Sequence, residues 1–298
     1  MSRRYASKNL YLVIVISFTL VGSLKVAALW SGGKDSCLST YRAISQGFEV
    51  SQLISFNYKG DNSDSISNKP LSYIYNRVGR ASPNFVSNIV SFVYKDLSRM
   101  VPHDVAPEII AKQAQAMEIP VIMRNVRWDT FEEQLKVTMK SLKQKGVEGL
   151  VFGVVPPHYP IFNSERLREG KTLMAHKGWI NRVCHEVGVQ PITPLWESNP
   201  EQILADLVDN GFETIIVVVD LKHFDKQWLG RKIDYDFIKD VSAHEKEVHI
   251  GGSGYHTLVI DGPLFKKSVK IVKSKKIVRN GCSILDISQV ELVKKTED

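Results

Sequence analysis

Cysteine is scarce in this chain: Cys37, Cys184 and Cys282 lie far apart, and no Cys-x-x-Cys pair occurs. That spacing excludes a disulfide framework and a cysteine zinc site, and it fits a reducing compartment. Long apolar runs are missing as well. The stretch Leu10 to Val21 falls short of the roughly 20 apolar residues that a membrane span requires. Neither a Walker A loop nor the Gly-x-Gly-x-x-Gly dinucleotide fingerprint is present. Internal repeats and low-complexity linkers are absent too.

What is there begins with an ordinary bulk composition. A chain of 298 residues and 33.6 kDa is large enough for a full core, and for two packed units rather than one. Hydrophobic content of 43% and charged content of 24% are those of a soluble globular protein. A net charge of +7 and a pI near 9.1 favour anionic partners such as ATP or RNA without choosing between them. Part of the excess lies in Lys266, Lys267, Lys270, Lys273, Lys275, Lys276 and Arg279. These are read as lysines guarding a strand edge, with a nucleic-acid face as the alternative.

The chemistry concentrates at Leu24 to Ser36, LKVAALWSGGKDS. The apolar stretch to Trp30 reads as a buried strand, and a helix starts at about Asp35 with Leu38, Tyr41 and Ile44 on one face. Between them, Ser31, Gly32, Gly33, Lys34, Asp35 and Ser36 form a tight turn. Glycine lets the backbone turn its N–H groups inward. Those groups, the helix N-terminus and the Ser hydroxyls make an anion cradle, and Lys34 adds a point charge. Asp35 is suited either to hold Mg²⁺ on the phosphates or to cap the helix. Cys37 is read as a packing residue, with a sulfur carrier as the alternative.

Further along, Val50 to Asn57 reads as a second parallel strand, placing Ser55 and Asn57 at the mouth where an adenine ring could be read. Residues 58–98 lack clean periodicity and are expected to be an insertion over the site. A helix over Pro107–Met117, a strand over Pro120–Val126, a helix over Thr130–Lys145 and a strand over Val147–Val154 follow. Such alternation predicts a parallel sheet covered by helices on both faces. Beyond a break near Pro156 come a helix over Leu173–Glu186 and a bend framed by Pro191 and Pro194. A helix capped by Asn199 with Pro200 at its first position follows, then a buried strand over Phe212–Val219 and a β-rich tail. The expected fold is thus α/β, a Rossmann-like parallel sheet over 24–155 with a second, smaller α+β domain over 156–298. Residues 1–23, basic and then apolar, are read as an appended extension, with a signal or membrane anchor as the alternative.

The loop SGGKDS at 31–36 resembles the pyrophosphate loop of the N-type ATP pyrophosphatases, the PP-loop superfamily with its HUP-like fold. More of the chain resembles one family within it, the diphthine–ammonia ligases. The matches are His103 ahead of a helix with Gln113, Ala114, Ile119 and Pro120, the Gly-Val-Glu-Gly-Leu-Val-Phe-Gly stretch at 146–153, and His176, Trp179 and Arg182-Val183-Cys184. They continue with Pro194-Leu195-Trp196, Gly211-Phe212, Leu229-Gly230-Arg231, Tyr255-His256-Thr257 and Asp261-Gly262-Pro263.

The resemblance implies a cytoplasmic enzyme that adenylates the carboxylate of diphthine on elongation factor 2 with ATP and Mg²⁺, releases pyrophosphate, and lets ammonia displace AMP. It implies Lys34 and Asp35 as catalytic residues, Asp35 as metal ligand, and the 31–36 loop with Ser55 and Asn57 as the ATP site. Gly251, Gly252, Tyr255 and Thr257 would face the acceptor, and His103 would either do the same or cap the helix that follows it. Amidation of this kind needs no covalent enzyme intermediate, so the lack of a nucleophilic triad is no obstacle. The chain departs from the family where Ile250-Gly251-Gly252-Ser253-Gly254 replaces a segment that usually carries two glutamates. Neither a stable nucleic-acid complex nor membrane attachment is expected, and a homo-oligomer is left open. Two other functions stay in view: a tRNA-modifying PP-loop ATPase, and an ATP-binding module without ligase activity.

Overall fold

The computed structural model describes residues 23–58, 105–127, 130–155, 171–243 and 254–295. The expected N-terminal extension, the insertion over the site (58–98), His103, Gly251 and Gly252 lie outside the described residues, apart from the outermost positions of the first two.

Five strands form a parallel sheet in the order β3-β2-β1-β4-β5. They are β1 (Lys25–Leu29), β2 (Glu49–Tyr58), β3 (Val121–Val126), β4 (Gly149–Val151) and β5 (Gln190–Ile192). Alternation along β1 sorts its side chains between the two faces. Val26, Ala28 and Trp30 join one core and Ala27 joins the other. The second core is closed by α3 (Phe131–Lys143) and α4 (Lys171–Val187), through Leu135, Met139, Leu142, Ile180 and Val183. The first core is closed by α1 (Lys34–Ser45), α2 (Pro107–Met117) and α5 (Pro200–Asp209).

The break expected near Pro156 differs from the structure. Strand β5 pairs in register with β4 (Leu150 opposite Pro191), so the parallel sheet runs on to Ile192. Pro191 had suggested a bend, yet an edge strand tolerates proline because its unpaired side needs no N–H donor.

An antiparallel sheet follows, in the order β7-β6-β9-β8. It is built from β6 (Glu213–Asp220), β7 (Tyr255–Asp261), β8 (Lys267–Arg279) and β9 (Cys282–Lys294), with α6 (Tyr235–Ala243) between β6 and β7. Asn280 and Gly281, at φ 50° and 79°, make the tight turn from β8 to β9, a conformation that Asn-Gly favours. Strand β8 is the free edge, and its lysines are exposed. The expected cap of α5 is present, Asn199 accepting from the Glu201 N–H at 2.8 Å. No helix among the described residues is long and apolar enough to cross a membrane.

The two sheets share a core. Ile110 and Ala114 of α2 pack toward the parallel sheet, while Ile109 packs among Ile215, Leu258 and Ile284 of the antiparallel one. Helix α2 is therefore a wedge between the sheets. Strand β7 is brought against the turn after β1, which is where the site lies.

Candidate functional site

The turn after β1 owes its shape to Gly32, at φ +80°. A methyl group there would sit 2.6 Å from Gln113 Oε1, so both the backbone angle and the neighbour require glycine. Gly33 is the N-cap of α1 and brings no side chain to that role. Ser36 braces the turn from inside. Its hydroxyl donates to the Gly33 carbonyl at 3.0 Å and accepts from the Ser31 N–H at 3.3 Å.

The turn opens on a cavity of about 260 Å³ beyond the carboxyl ends of β1, β2 and β4. That is where an open α/β sheet binds its ligands. Of the site residues expected from sequence, Ser31, Asp35, Ser36, Ser55 and Asn57 line it. Gly32, Gly33 and Lys34 form the back of the turn instead. There the Lys34 N–H donates to Thr257 Oγ1 at 3.0 Å, and the Val259 N–H donates to the Gly32 carbonyl at 3.0 Å. The Lys34 ammonium, only 4% exposed as a residue, donates to both Asp35 carboxylate oxygens at 2.9 and 2.7 Å. It also lies 5.9 Å from the centre of the Tyr255 ring.

The N-cap of α1 is Gly33, with no side-chain capping bond, and the Asp35 carboxylate accepts from the Lys34 ammonium. Asp35 lines the cavity, and no cluster of three metal-ligating side chains occurs among the described residues. One carboxylate at the cavity wall is a donor set of the kind Mg²⁺ takes, since that ion needs only one or two carboxylates and completes its shell with other oxygens.

Tyr255 is buried among Phe224 and Phe237, with its phenol pushed far above the usual range by burial and by the nearby Asp35 charge. Cys37 is wholly buried, and desolvation raises its thiol well above the ordinary value. A sulfur carrier needs an accessible thiolate, so Cys37 is a packing residue.

Residues to which the sequence assigned no role in the site complete it. Phe56, Phe131 and Phe152 line the cavity, Phe131 standing edge-on to Phe56 at 5.1 Å and stacked on Trp179 at 6.2 Å. Gln113, fully buried, accepts from Trp30 Nε1 at 3.0 Å and donates to the carbonyls of Gly32 at 3.0 Å and Val259 at 2.7 Å. Gly153 passes so close to α1 that an added methyl would lie 2.9 Å from the Asp35 carbonyl. Phe131 sits at a strand-to-helix corner of an alternating pattern, the signal that could have pointed to it, and Gly153 closes the 146–153 stretch already matched in the sequence.

Next to Phe131, Glu132 fixes the first turn of α3. It accepts from Arg182 at 2.8 and 2.9 Å and from Trp179 Nε1 at 2.7 Å, and also pairs with Lys136. The Arg182 guanidinium holds the Glu132 carboxyl down at about 2, against an ordinary 4.5, and burial opposes that only in part. Because the folded value is depressed, the stabilisation is complete above about pH 4.5 and is lost as pH falls through about 2. Solvent screening reduces it to about 1 kcal/mol. Glu132→Gln should therefore melt below the wild type at pH 7, with the gap closing as pH falls toward 2 in paired thermal scans. A gap independent of pH would contradict the assignment.

A parallel strand, a glycine turn and a helix N-terminus opening on a strand-end cavity define the class: a Rossmann-like nucleotide-binding α/β protein of PP-loop type. The comparisons with known proteins narrow this. Residues 24–72 match the family model described as the diphthamide synthase N-terminal domain, and residues 199–293 match the one described as its C-terminal domain. The diphthine–ammonia ligase of Rattus norvegicus is 25% identical over 288 residues, spanning 90% of this chain and 91% of the relative. That of Bos taurus is 27% identical, over 86% of this chain and 85% of the relative. The Homo sapiens enzyme is 24% identical, over 91% of each. The chain is thus similar to the diphthine–ammonia ligases along most of its length, and its two matched segments correspond to diphthamide synthase domains.

Proposed function

We propose that this protein is a cytoplasmic ATP-dependent amide ligase that converts the carboxylate of diphthine on elongation factor 2 to the amide, diphthamide. The observation carrying this reading is the 31–36 turn, placed at the mouth of the strand-end cavity with Asp35 and Ser36 lining it, in a chain similar to named diphthine–ammonia ligases along most of its length. The acceptor carboxylate attacks the α-phosphate of ATP, forming an acyl adenylate and expelling pyrophosphate. Ammonia then attacks the acyl carbon, AMP leaves with the bonding pair, and a proton is lost from nitrogen.

Each part of the chain has a task in that sequence. Donors fixed around the turn meet charge as it grows on the departing pyrophosphate, where preorganised dipoles contribute most. Mg²⁺ would be held on the phosphates by Asp35 and would neutralise part of their charge. Ser55 and Asn57, with the aromatic side chains beside them, take the nucleoside. His103 and the Gly251-Gly252 loop are assigned to the acceptor side.

Incubation with ATP, Mg²⁺ and ammonium, with and without diphthine-bearing elongation factor 2, tests the proposal. AMP and pyrophosphate should form together and only with the factor. Dependence on tRNA instead, or tight ATP binding without turnover, would overturn it.

A further inference from the structure

The pyrophosphate turn is not held by its own domain alone. Helix α1 begins at Gly33, which has no side chain to satisfy the first N–H groups, and the missing cap arrives from 223 residues away. Thr257 Oγ1, on the second residue after the start of β7, accepts the Lys34 N–H at 3.0 Å, in a position only 9% exposed. The same strand lies against Gly33, where a methyl group would come within 3.1 Å of the Thr257 carbonyl. One residue pair further, Gln113 bridges the carbonyls of Gly32 and Val259, and the Val259 N–H returns to Gly32. A backbone bound at the Gly32 carbonyl and at the Lys34 N–H cannot rotate freely as it enters Lys34, so the direction of the Lys34 side chain is set from β7.

We propose that Thr257 is a positioning residue for the nucleotide's phosphates, acting through the Lys34 main chain, so that the antiparallel sheet supplies one wall of the pyrophosphate grip. Its place in the family's Tyr-x-Thr stretch had suggested contact with the acceptor. The geometry points to the turn instead. The idea rests on the reading of 31–36 as a phosphate site. It predicts that losing the hydroxyl harms recognition of phosphate and spares recognition of the nucleoside.

The experiment uses the full chain and compares Thr257→Val, which keeps the shape, with Thr257→Ser, which keeps the hydroxyl. Binding of ATP and of adenosine is measured by titration calorimetry, and pyrophosphate release is followed alongside. Thr257→Val should bind ATP about tenfold more weakly, the scale of one buried N–H left without its acceptor. Adenosine binding should stay within twofold, and Thr257→Ser should stay near wild type for both. ATP binding unchanged in Thr257→Val, equal losses for ATP and adenosine, or a Thr257→Ser variant as weak as Thr257→Val would each overturn the proposal. Should Thr257→Val not fold, Thr257→Ala with the same ligands decides the question on the same criteria. Failure of the parent reading looks different: wild-type ATP binding would then be indifferent to Lys34→Ala.

Discussion

Replacing Lys34 with alanine should lower factor-dependent AMP formation by at least about a hundredfold, the scale seen when one preorganised donor is removed from a site of developing charge. The fold should survive. The Asp35 side chain, 32% exposed, can turn to water once its partner is gone. What is lost structurally is the packing of the Lys34 stem and a distant contact with the Tyr255 ring, a contact worth about 1 kcal/mol. Lys34→Arg should not restore turnover, because a planar guanidinium neither fits the buried slot beside Tyr255 nor acts as a compact point charge. Quantifying AMP by chromatography, with a thermal melt on the same samples, separates the two effects. Turnover within a few-fold of wild type in Lys34→Ala would remove this side chain from the site.

The turn that carries Lys34 was legible in the sequence because its message is local. A strand, two glycines and a helix start lie within a dozen positions, and each residue type there has one dominant conformational use. The clamp on the turn was not legible. Gln113 stands 81 residues from Gly32, and Thr257 stands 223 from Lys34, so only the tertiary fold brings them together. Without that fold, Gln113 is one polar residue on an amphipathic helix, and Thr257 one of an alternating series in a strand.

Strand β5 was hidden for another reason. Three residues with a proline in the middle carry no periodicity, and the strand exists because the edge of β4 offers partners. The reverse holds for β8. The lysines along β8 read correctly as those of an exposed edge.

Gly153→Ala tests a tight backbone approach at the site. An added methyl would sit 2.9 Å from the carbonyl carbon and oxygen of Asp35 and from the Ser36 Cα. All three are backbone, so none can swing away as a side-chain end can. Either the end of β4 or the first turn of α1 must move, and overpacking of that sort costs about 1–3 kcal/mol. The segment displaced is the one that carries Asp35 and Ser36 into the cavity. Turnover should therefore fall by roughly 10- to 100-fold, since misplacing reacting groups by about 1 Å is enough for that. The melting temperature should drop by about 2–8 °C on the scale expected for a chain of this size. Gly178→Ala supplies the contrast: it lies in α4 with no atom within 4 Å of an added methyl. There alanine should stabilise by about 0.5–1 kcal/mol through helix propensity and leave turnover unchanged. If both variants behaved alike, the contact between β4 and the start of α1 would have no part in holding the turn.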